Sequence, residues 1–471
     1  MLALLLAALT LSPASAEELR RFVLKGALAT PGEAFREGAL VVENGRVRCA
    51  GACQAPDGFA VIETSGVILP GLVDPHNHFD WNVHPRGAWS PSRAYENRYE
   101  WQGEPAYKKF SQAHSALFRY DDGGLDGDFL ELMHLRGDVQ AILGGVTTIE
   151  GGYRGFAKGL AHNPEQDDRL GRPACSTVFP LNDLDPSRDK PDDPEWRVRQ
   201  RKYLRDCFFG SPADSPRLIV HLAEGTDALS ASEYRRLAAL FPAGIPDDRL
   251  TAIHGLALSS AALADLAQRR GYLVWSPSSN VALYNKTLRP ADLPASLRVA
   301  LGADWALTGS KTLLQEIRYA AQLPAGAIPV STGTTKEREL ALMATERAAE
   351  ASGLGRELGR LAPGYRADVL VLRPPPERAG LDPYQVLAAA GEGEVALVLV
   401  DGAALYGDPD LVAAFGLPEQ ACESIQPCGA AKALCIKRAR DDPARVPYAL
   451  RDIEGPLRAK IPDLPDAWQC P

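Results

Sequence analysis

The chain has 471 residues, room for one large domain or two to three smaller ones. Apolar residues make up 45% of it and charged residues 24%, the balance of a globular protein that folds in water. A formal charge of −9, with no Lys/Arg-rich run against it, argues against a nucleic-acid partner, since such proteins usually carry a basic face.

The N-terminus runs Met1-Leu-Ala-Leu-Leu-Leu-Ala-Ala-Leu-Thr-Leu-Ser-Pro-Ala-Ser-Ala16 and then turns acidic. A short apolar stretch ending in Ala14-Ser15-Ala16 is the pattern of a secretory leader, so residues 1–16 are expected to be a signal peptide on an exported, periplasmic or secreted protein. The region before it lacks Lys and Arg, and the alternative is a buried N-terminal helix. No other stretch is apolar enough to cross a bilayer, so no membrane span is expected once the leader is removed. The eight cysteines are even in number, which together with export implies disulfides rather than free thiols. Cys49 and Cys53 form a natural local pair, and Cys175 and Cys207 a longer one. Cys422, Cys428, Cys435 and Cys470 staple a tail over 406–471 in a pairing the sequence does not fix. A zinc knuckle there is disfavoured, because no histidine lies beyond His254.

Residues 17–66 read as short strands and turns. Arg21–Lys25, Ala39–Glu43 and Arg46–Arg48 are apolar-alternating, and Asn44-Gly45 between the last two is a hairpin signal. The same pattern returns over 361–405, where Ala367–Arg373 and Val395–Val400 precede Asp401-Gly402. The two ends together predict one small β-sandwich domain. Between them, 67–360 alternates apolar strands with helices such as Ser230–Phe241, Ser259–Arg270 and Leu313–Gln322. The strands fall at 68–75, 146–150, 174–180, 217–222, 250–254, 271–276 and 298–303. Alternation of this kind predicts an α/β fold with a parallel sheet, and its length fits a (β/α)8 barrel of the TIM type. Seven strands are clear; the eighth is placed near Asp206-Cys-Phe-Phe209. Residues 79–135, rich in Trp, Tyr and Arg, interrupt the plan after its first strand. They are expected to be either a lid or substrate wall, or an excursion packed on its own small core.

The chemistry gathers at strand ends. His76 and His78 lie two apart, so both face the same way. His221 follows Arg217–Val220, His254 follows Leu250–Ile253, and Asp304 follows Val299–Ala303. One histidine at a strand end is ordinarily structural, whereas a set at the same end of successive strands points to metal. His76, His78, His221 and Asp304 would offer three imidazoles and a carboxylate to one divalent ion, with zinc first and iron or manganese behind it. Such an ion lowers the pKa of a coordinated water towards neutrality. Glu224, three residues beyond His221, is placed to shuttle protons or to support a ligand. His254 is placed to steady a developing oxyanion or to bind a second metal. His84, His114, His134 and His162 are read as structural or surface residues, with His84 the nearest outsider.

Five stretches in this order resemble the amidohydrolase superfamily: Leu69-Pro-Gly-Leu-Val-Asp-Pro-His-Asn-His78, Gly144-Gly-Val-Thr-Thr-Ile149, His221-Leu-Ala-Glu-Gly225, His254-Gly255 and Leu301-Gly-Ala-Asp-Trp305. Gly364-Tyr-Arg-Ala-Asp-Val-Leu-Val371 is similar to the superfamily's C-terminal signature. The resemblance spans about 20–405 and is nearest to the cytosine, guanine and S-adenosylhomocysteine deaminase and triazine hydrolase branch. It implies one metal on His76, His78, His221 and Asp304, with Glu224, His254 and Asp304 catalytic. Binuclear members use a bridging lysine at a strand end, and Lys158, Lys190 and Lys202 stand in loop or helical contexts instead. The leader, the Cys-bearing tail, the insertion and Trp275-Ser-Pro-Ser-Ser-Asn280 depart from that branch, so the substrate is not carried over. The expected activity is hydrolysis of a non-peptide C–N bond, as deamination of a small heterocyclic or amidine-like molecule. The alternatives are ring opening of a cyclic amide or imidazolone, and a secreted protein that binds metal or ligand without catalysis. No oligomeric state follows from the sequence.

Overall fold

The computed structural model describes residues 20–30, 34–120, 122–152, 160–166, 170–171, 174–177, 217–241, 244–324, 326–330, 334–437, 448–468 and 470. The leader over 1–16, Cys207, the strand expected near Asp206–Phe209, and Lys158, Lys190 and Lys202 lie outside these residues.

The chain is α/β. Both ends build one mixed sheet of nine strands among the described residues. From the N-terminal end come β1 (Arg21–Ala29), β2 (Ala34–Glu43), β3 (Arg46–Gly51) and β4 (Ala60–Pro70). Between β2 and β3, Asn44 and Gly45 take φ of 50° and 75°, the left-handed pair that a two-residue hairpin requires. β12 (Val369–Leu372), β13 (Val395–Val400) and β14 (Ala403–Gly407) join from the other end, with Asp401 and Gly402 repeating that turn at φ of 52° and 77°. The sheet continues into the Cys-bearing tail as β15 (Glu423–Ile425) and β16 (Lys432–Leu434). The strands that the sequence assigns to one β-sandwich domain share one hydrogen-bonded sheet, in the order β15-β16-β14-β13-β12-β4-β1-β2-β3.

The apolar run at 68–75 splits between two sheets. β4 ends at Pro70, which has no N–H to give a ladder. Gly71 lies so close to Thr147 that a Cβ there would fall 2.3 Å from its hydroxyl. The chain then resumes as β5 (Leu72–Asp74), parallel to β6 (Val146–Ile149). A second parallel sheet holds β7 (Ala174–Thr177), β8 (Arg217–Leu222), β9 (Leu250–His254), β10 (Tyr272–Trp275) and β11 (Arg298–Leu301), in the order β11-β10-β9-β8-β7. Their near-continuous burial is what a parallel strand covered on both faces needs. Isolated parallel bridges pair Asn77 with Asp304, and Thr148 with His162.

Helices cover the strands: α1 (Arg98–Gly103), α2 (Pro105–Ala116) and α3 (Gly127–Leu143) in and after the insertion, then α4 (Ala228–Ala238), α5 (Ser260–Gln268), α6 (Pro277–Tyr284) and α7 (Leu313–Ala321). Asp227 and Ser259 cap α4 and α5 through their side chains, which fixes where each helix leaves the strand end before it. Disulfides join Cys49 to Cys53, Cys422 to Cys435 and Cys428 to Cys470. Cys175 is disulfide-bonded as well.

Candidate metal centre and catalytic groups

The C-terminal ends of β5, β8, β9 and β11 deliver five of the six expected site residues, and the sixth sits on the loop after β8. β5 and β11 are locked by backbone bonds: His78 N donates to Asp304 O at 2.8 Å and Asp304 N to His76 O at 2.9 Å. Asp74 braces the same corner, accepting from Asn77 Nδ2 at 2.8 Å and from Ala303 N at 3.1 Å. His254 and Asp304 both have left-handed backbones, with φ of 64° and 65°. Non-glycine residues rarely stay there unless surrounding structure holds them, and such strain clusters at functional sites.

The four side chains read from the sequence as metal ligands lie close together. His76 Nε2 lies 3.1 Å from His221 Nε2, and His78 Nε2 lies 3.3 Å from that same atom. Asp304 Oδ1 is 3.3 Å from His76 Nε2 and 3.4 Å from His78 Nε2. The ligand atoms of His76, His78 and Asp304 fall within 4.8 Å of one another, as do those of His76, His221 and His254. His76 Nδ1 pairs with Ser276 Oγ at 2.9 Å, which leaves Nε2 for the centre.

Glu224 and His254 stand beside this cluster, Glu224 Oε1 4.0 Å from His254 Nε2. His254 Nδ1 is paired with Asn280 Oδ1 at 2.9 Å, so its Nε2 faces the cavity. His84 does not join them. It pairs with His114 at 3.0 Å inside the insertion, and His114 Nε2 lies 3.5 Å from Asp80 Oδ2. His114, His134 and His162 are buried rather than on the surface.

The electrostatics are those of a site built for a cation. Burial, with His221, His254 and His78 around it, holds His76 well below the ordinary imidazole range. Burial likewise pushes His78 down to about 4 and lowers His254. Burial pushes the Asp304 carboxyl well above the usual range against a hydrogen bond from Ser279, with Glu224, Glu316 and Asp74 adding to the rise. Asp74 is raised to about 7, again by burial first. Neutral imidazoles turn lone pairs towards one point, and a carboxylate there lacks a counter-charge. A divalent ion resolves both, so His76, His78, His221 and Asp304 fit one.

A pocket open to solvent borders these groups. Its far walls are the rings of Trp81, Trp101, Tyr107 and Trp305, with Gln102 and Leu283. The first three rings belong to the 79–135 insertion, which therefore walls the site. Together with Trp89, Tyr95 and Tyr284 they form one buried aromatic cluster.

Sequence reasoning missed three supports of the site. Ser276 and Asn280, which orient His76 and His254, lie inside the stretch Trp275-Ser-Pro-Ser-Ser-Asn280 noted only as a departure. Tyr284, whose hydroxyl donates to Glu224 Oε1 at 2.6 Å, carried no local signal.

Comparison with known proteins agrees with the geometry. The amidohydrolase family profile matches residues 217–405. The chain is 23% identical over 421 residues to a 5′-deoxyadenosine deaminase of Methanothermobacter thermautotrophicus, covering 80% of this chain and 91% of that one. Among solved structures, a zinc-bound adenosine deaminase from Xanthomonas campestris superposes with a TM-score of 0.58 at 19% identity, covering 81% of this chain and 92% of its own. Atrazine chlorohydrolase from Arthrobacter aurescens, solved with zinc, gives 0.60 at 17% identity, covering 94% of this chain and 100% of its own.

Proposed function

We propose that this chain, whose residues 217–405 match the amidohydrolase family, is a metal-dependent hydrolase of that superfamily and deaminates a small heterocyclic or amidine-like substrate. The observation that carries the reading is the convergence of His76, His78, His221 and Asp304, with Glu224 Oε1 4.0 Å from His254 Nε2 on the same cavity. The neighbouring enzymes act on amino-heterocycles, and the ring-lined cavity suits a flat molecule of that kind.

A bound divalent ion, zinc first, would be held by His76, His78, His221 and Asp304 and would supply Lewis acidity and a water acidic enough to attack at neutral pH. The chain's own residues do the rest. Asp304 takes the proton released by the attacking water. His254, oriented by Asn280, hydrogen-bonds the heteroatom that gains charge as its carbon is attacked. Glu224 gives a proton to the ring nitrogen and regains one from the new hydroxyl as it becomes a carbonyl, Asp304 passes the proton it took to the departing amine, and ammonia leaves. The rings of Trp81, Trp101 and Trp305 keep bulk water from this exchange.

Two finer structural readings accompany this one. The parallel strands are taken as a (β/α)8 barrel, in which the bridges Asn77–Asp304 and Thr148–His162 would help to close the ring, and the sheet from both ends as its β-sandwich partner. Export through the 1–16 leader is the proposed location, and the disulfides support it.

Elemental analysis and an ammonia-release screen of heterocyclic amines, 5′-deoxyadenosine among them, test the function. One metal per chain, ammonia release, and a Glu224→Gln variant that keeps metal but loses turnover are expected. Ring opening without ammonia would replace deamination by cyclic-amide hydrolysis. A full metal load with no turnover on any ring would leave a binding protein.

A further inference from the structure

We propose that residues 95–101 of the insertion complete the acid–base apparatus: Trp101 through Tyr284, and Arg98 through Glu233, hold Glu224 in its working position. The inference rests on Glu224 being the proton shuttle, as proposed above, and it gives the 79–135 segment a role beyond walling the cavity.

The first arm is direct. Tyr284, at the end of α6, donates its hydroxyl proton to Glu224 Oε1 at 2.6 Å, and Trp101 Nε1 donates to the same Tyr284 oxygen at 3.0 Å. With the indole as its donor, the phenol has its own proton directed at the carboxylate. Tyr284 is 3% exposed and Glu224 4%, so water does not compete for these bonds.

The second arm acts on the backbone that aims Glu224. Ala223 has a φ of 54°, a left-handed turn that an alanine does not choose unaided. Its N–H donates to Glu233 Oε2 at 2.6 Å, and the other oxygen of Glu233 meets Arg98 Nη2 at 2.8 Å, with both side chains fully buried. Arg98 from the insertion thus neutralises the carboxylate that pins the turn before Glu224.

Backbone bonds hold the same seven residues on both sides of the acid. Arg98 N donates to Glu224 O at 3.3 Å, Thr226 N to Glu96 O at 2.6 Å, and Tyr95 N to Leu283 O at 2.8 Å. The insertion therefore bridges the loop after β8 and the end of α6, which are the two elements that set Glu224. Tyr284 and Arg98 are positioning residues; neither reaches the reacting atoms.

The test uses full-length, metal-loaded protein carrying Tyr284→Phe or Trp101→Phe, with Glu224→Gln alongside and 5′-deoxyadenosine as the first probe. Because general acid–base catalysis contributes about 10²–10⁴-fold, Tyr284→Phe should lower kcat about tenfold or more. KM should stay within about twofold and metal content should not change. Trp101→Phe should lose less in kcat than Tyr284→Phe, and because its ring also walls the cavity its KM should rise as well. For Tyr284→Phe, a kcat within about twofold of wild type, or a loss appearing mainly in KM, overturns the inference. Full activity in Glu224→Gln would instead sink the assignment of Glu224 itself. A crystal structure of Tyr284→Phe decides independently of turnover: the Glu224 carboxylate should leave its place beside His254, and an unmoved carboxylate refutes the positioning role.

Discussion

The Nε2 atoms of His76 and His221 face one another at 3.1 Å, although 145 residues of chain separate them. Each imidazole is buried, and burial holds His76 in its neutral form. Two neutral rings whose outer nitrogen is committed elsewhere would oppose lone pairs at that distance. His76 has its outer nitrogen on Ser276, so a cation between the rings is the arrangement that removes the repulsion. His221→Ala should therefore abolish metal binding and turnover together. Plasma emission analysis of the purified variant should find less than a tenth of an equivalent, with about 1 equivalent in wild type. A variant that retains a full metal load would show that the ligands lie elsewhere.

Metal binding should displace protons from carboxyls and not from His76 or His78. Ligation needs neutral imidazole and ionised carboxylate. His76 and His78 already sit below their ordinary value, His78 at about 4, so at pH 6.5 they have no proton to release. Asp304 is raised well above its ordinary value and Asp74 to about 7, so a cation expels protons from them. Calorimetric zinc titration of apoprotein at pH 6.5, in buffers of different ionisation enthalpy, should report about one to two protons released per ion. Three or more would mean that the imidazoles are protonated in the free site.

Glu316 offers a stability signature that can be read from unfolding. Its buried carboxyl is raised from 4.5 to about 7 by burial, even though it accepts from Ser278 N at 2.9 Å and from the hydroxyls of Ser278 and Ser310. A raised folded-state value means that the native chain holds the proton longer than the unfolded one. The associated stability is present below about pH 4.5, fades as pH rises, and is gone above about pH 7. The shift corresponds to about 3 kcal/mol. Urea unfolding at pH 4.5 and pH 8 should show wild type losing that much more than Glu316→Gln over the interval. Equal losses in the two proteins would refute it.

Much of this was legible because the signals were local. Asn44-Gly45 and Asp401-Gly402 fixed their hairpins through residues that accept left-handed φ. His76, His78, His221, His254 and Asp304 could be found because strand ends in alternating α/β chains meet at one place. The supports of the site were not legible for the opposite reason. Tyr284 and Trp101 are ordinary aromatic residues whose meaning is a contact across 183 positions. Arg98 and Glu233 carry no local sign of their pairing, which lies across 135 positions of sequence and is visible only in the fold. The division of 68–75 between two sheets depended on Thr147 crowding Gly71, a tertiary contact without a local pattern.

The Cys428–Cys470 bridge should matter for stability more than its place near the chain end suggests. It closes a span of 42 residues that includes α12 (Leu450–Lys460), counting as α8 to α11 the helices at Lys336–Ala344, Glu346–Ala351, Pro383–Ala389 and Pro409–Ala413. α12 packs along α3, and beyond it the chain caps two buried cations. Arg136 Nη2 donates to Pro465 O, and Lys311 Nζ donates to Asp466 O at 2.9 Å. Burial already presses Arg136 down to about 10 and Lys311 to about 8, so neither can lose these acceptors cheaply. Loop closure of this length contributes about 4 kcal/mol in the chain-entropy model. Cys428→Ser/Cys470→Ser should thus lower the thermal midpoint by several degrees in non-reducing buffer and speed proteolysis of the tail, while metal content stays at the wild-type level. Reductant should reproduce part of that shift in wild type and leave the double variant less affected, because its bridge is already gone. A thermal midpoint equal to wild type would mean that the packing of α12 on α3, and not the covalent closure, holds the tail in place.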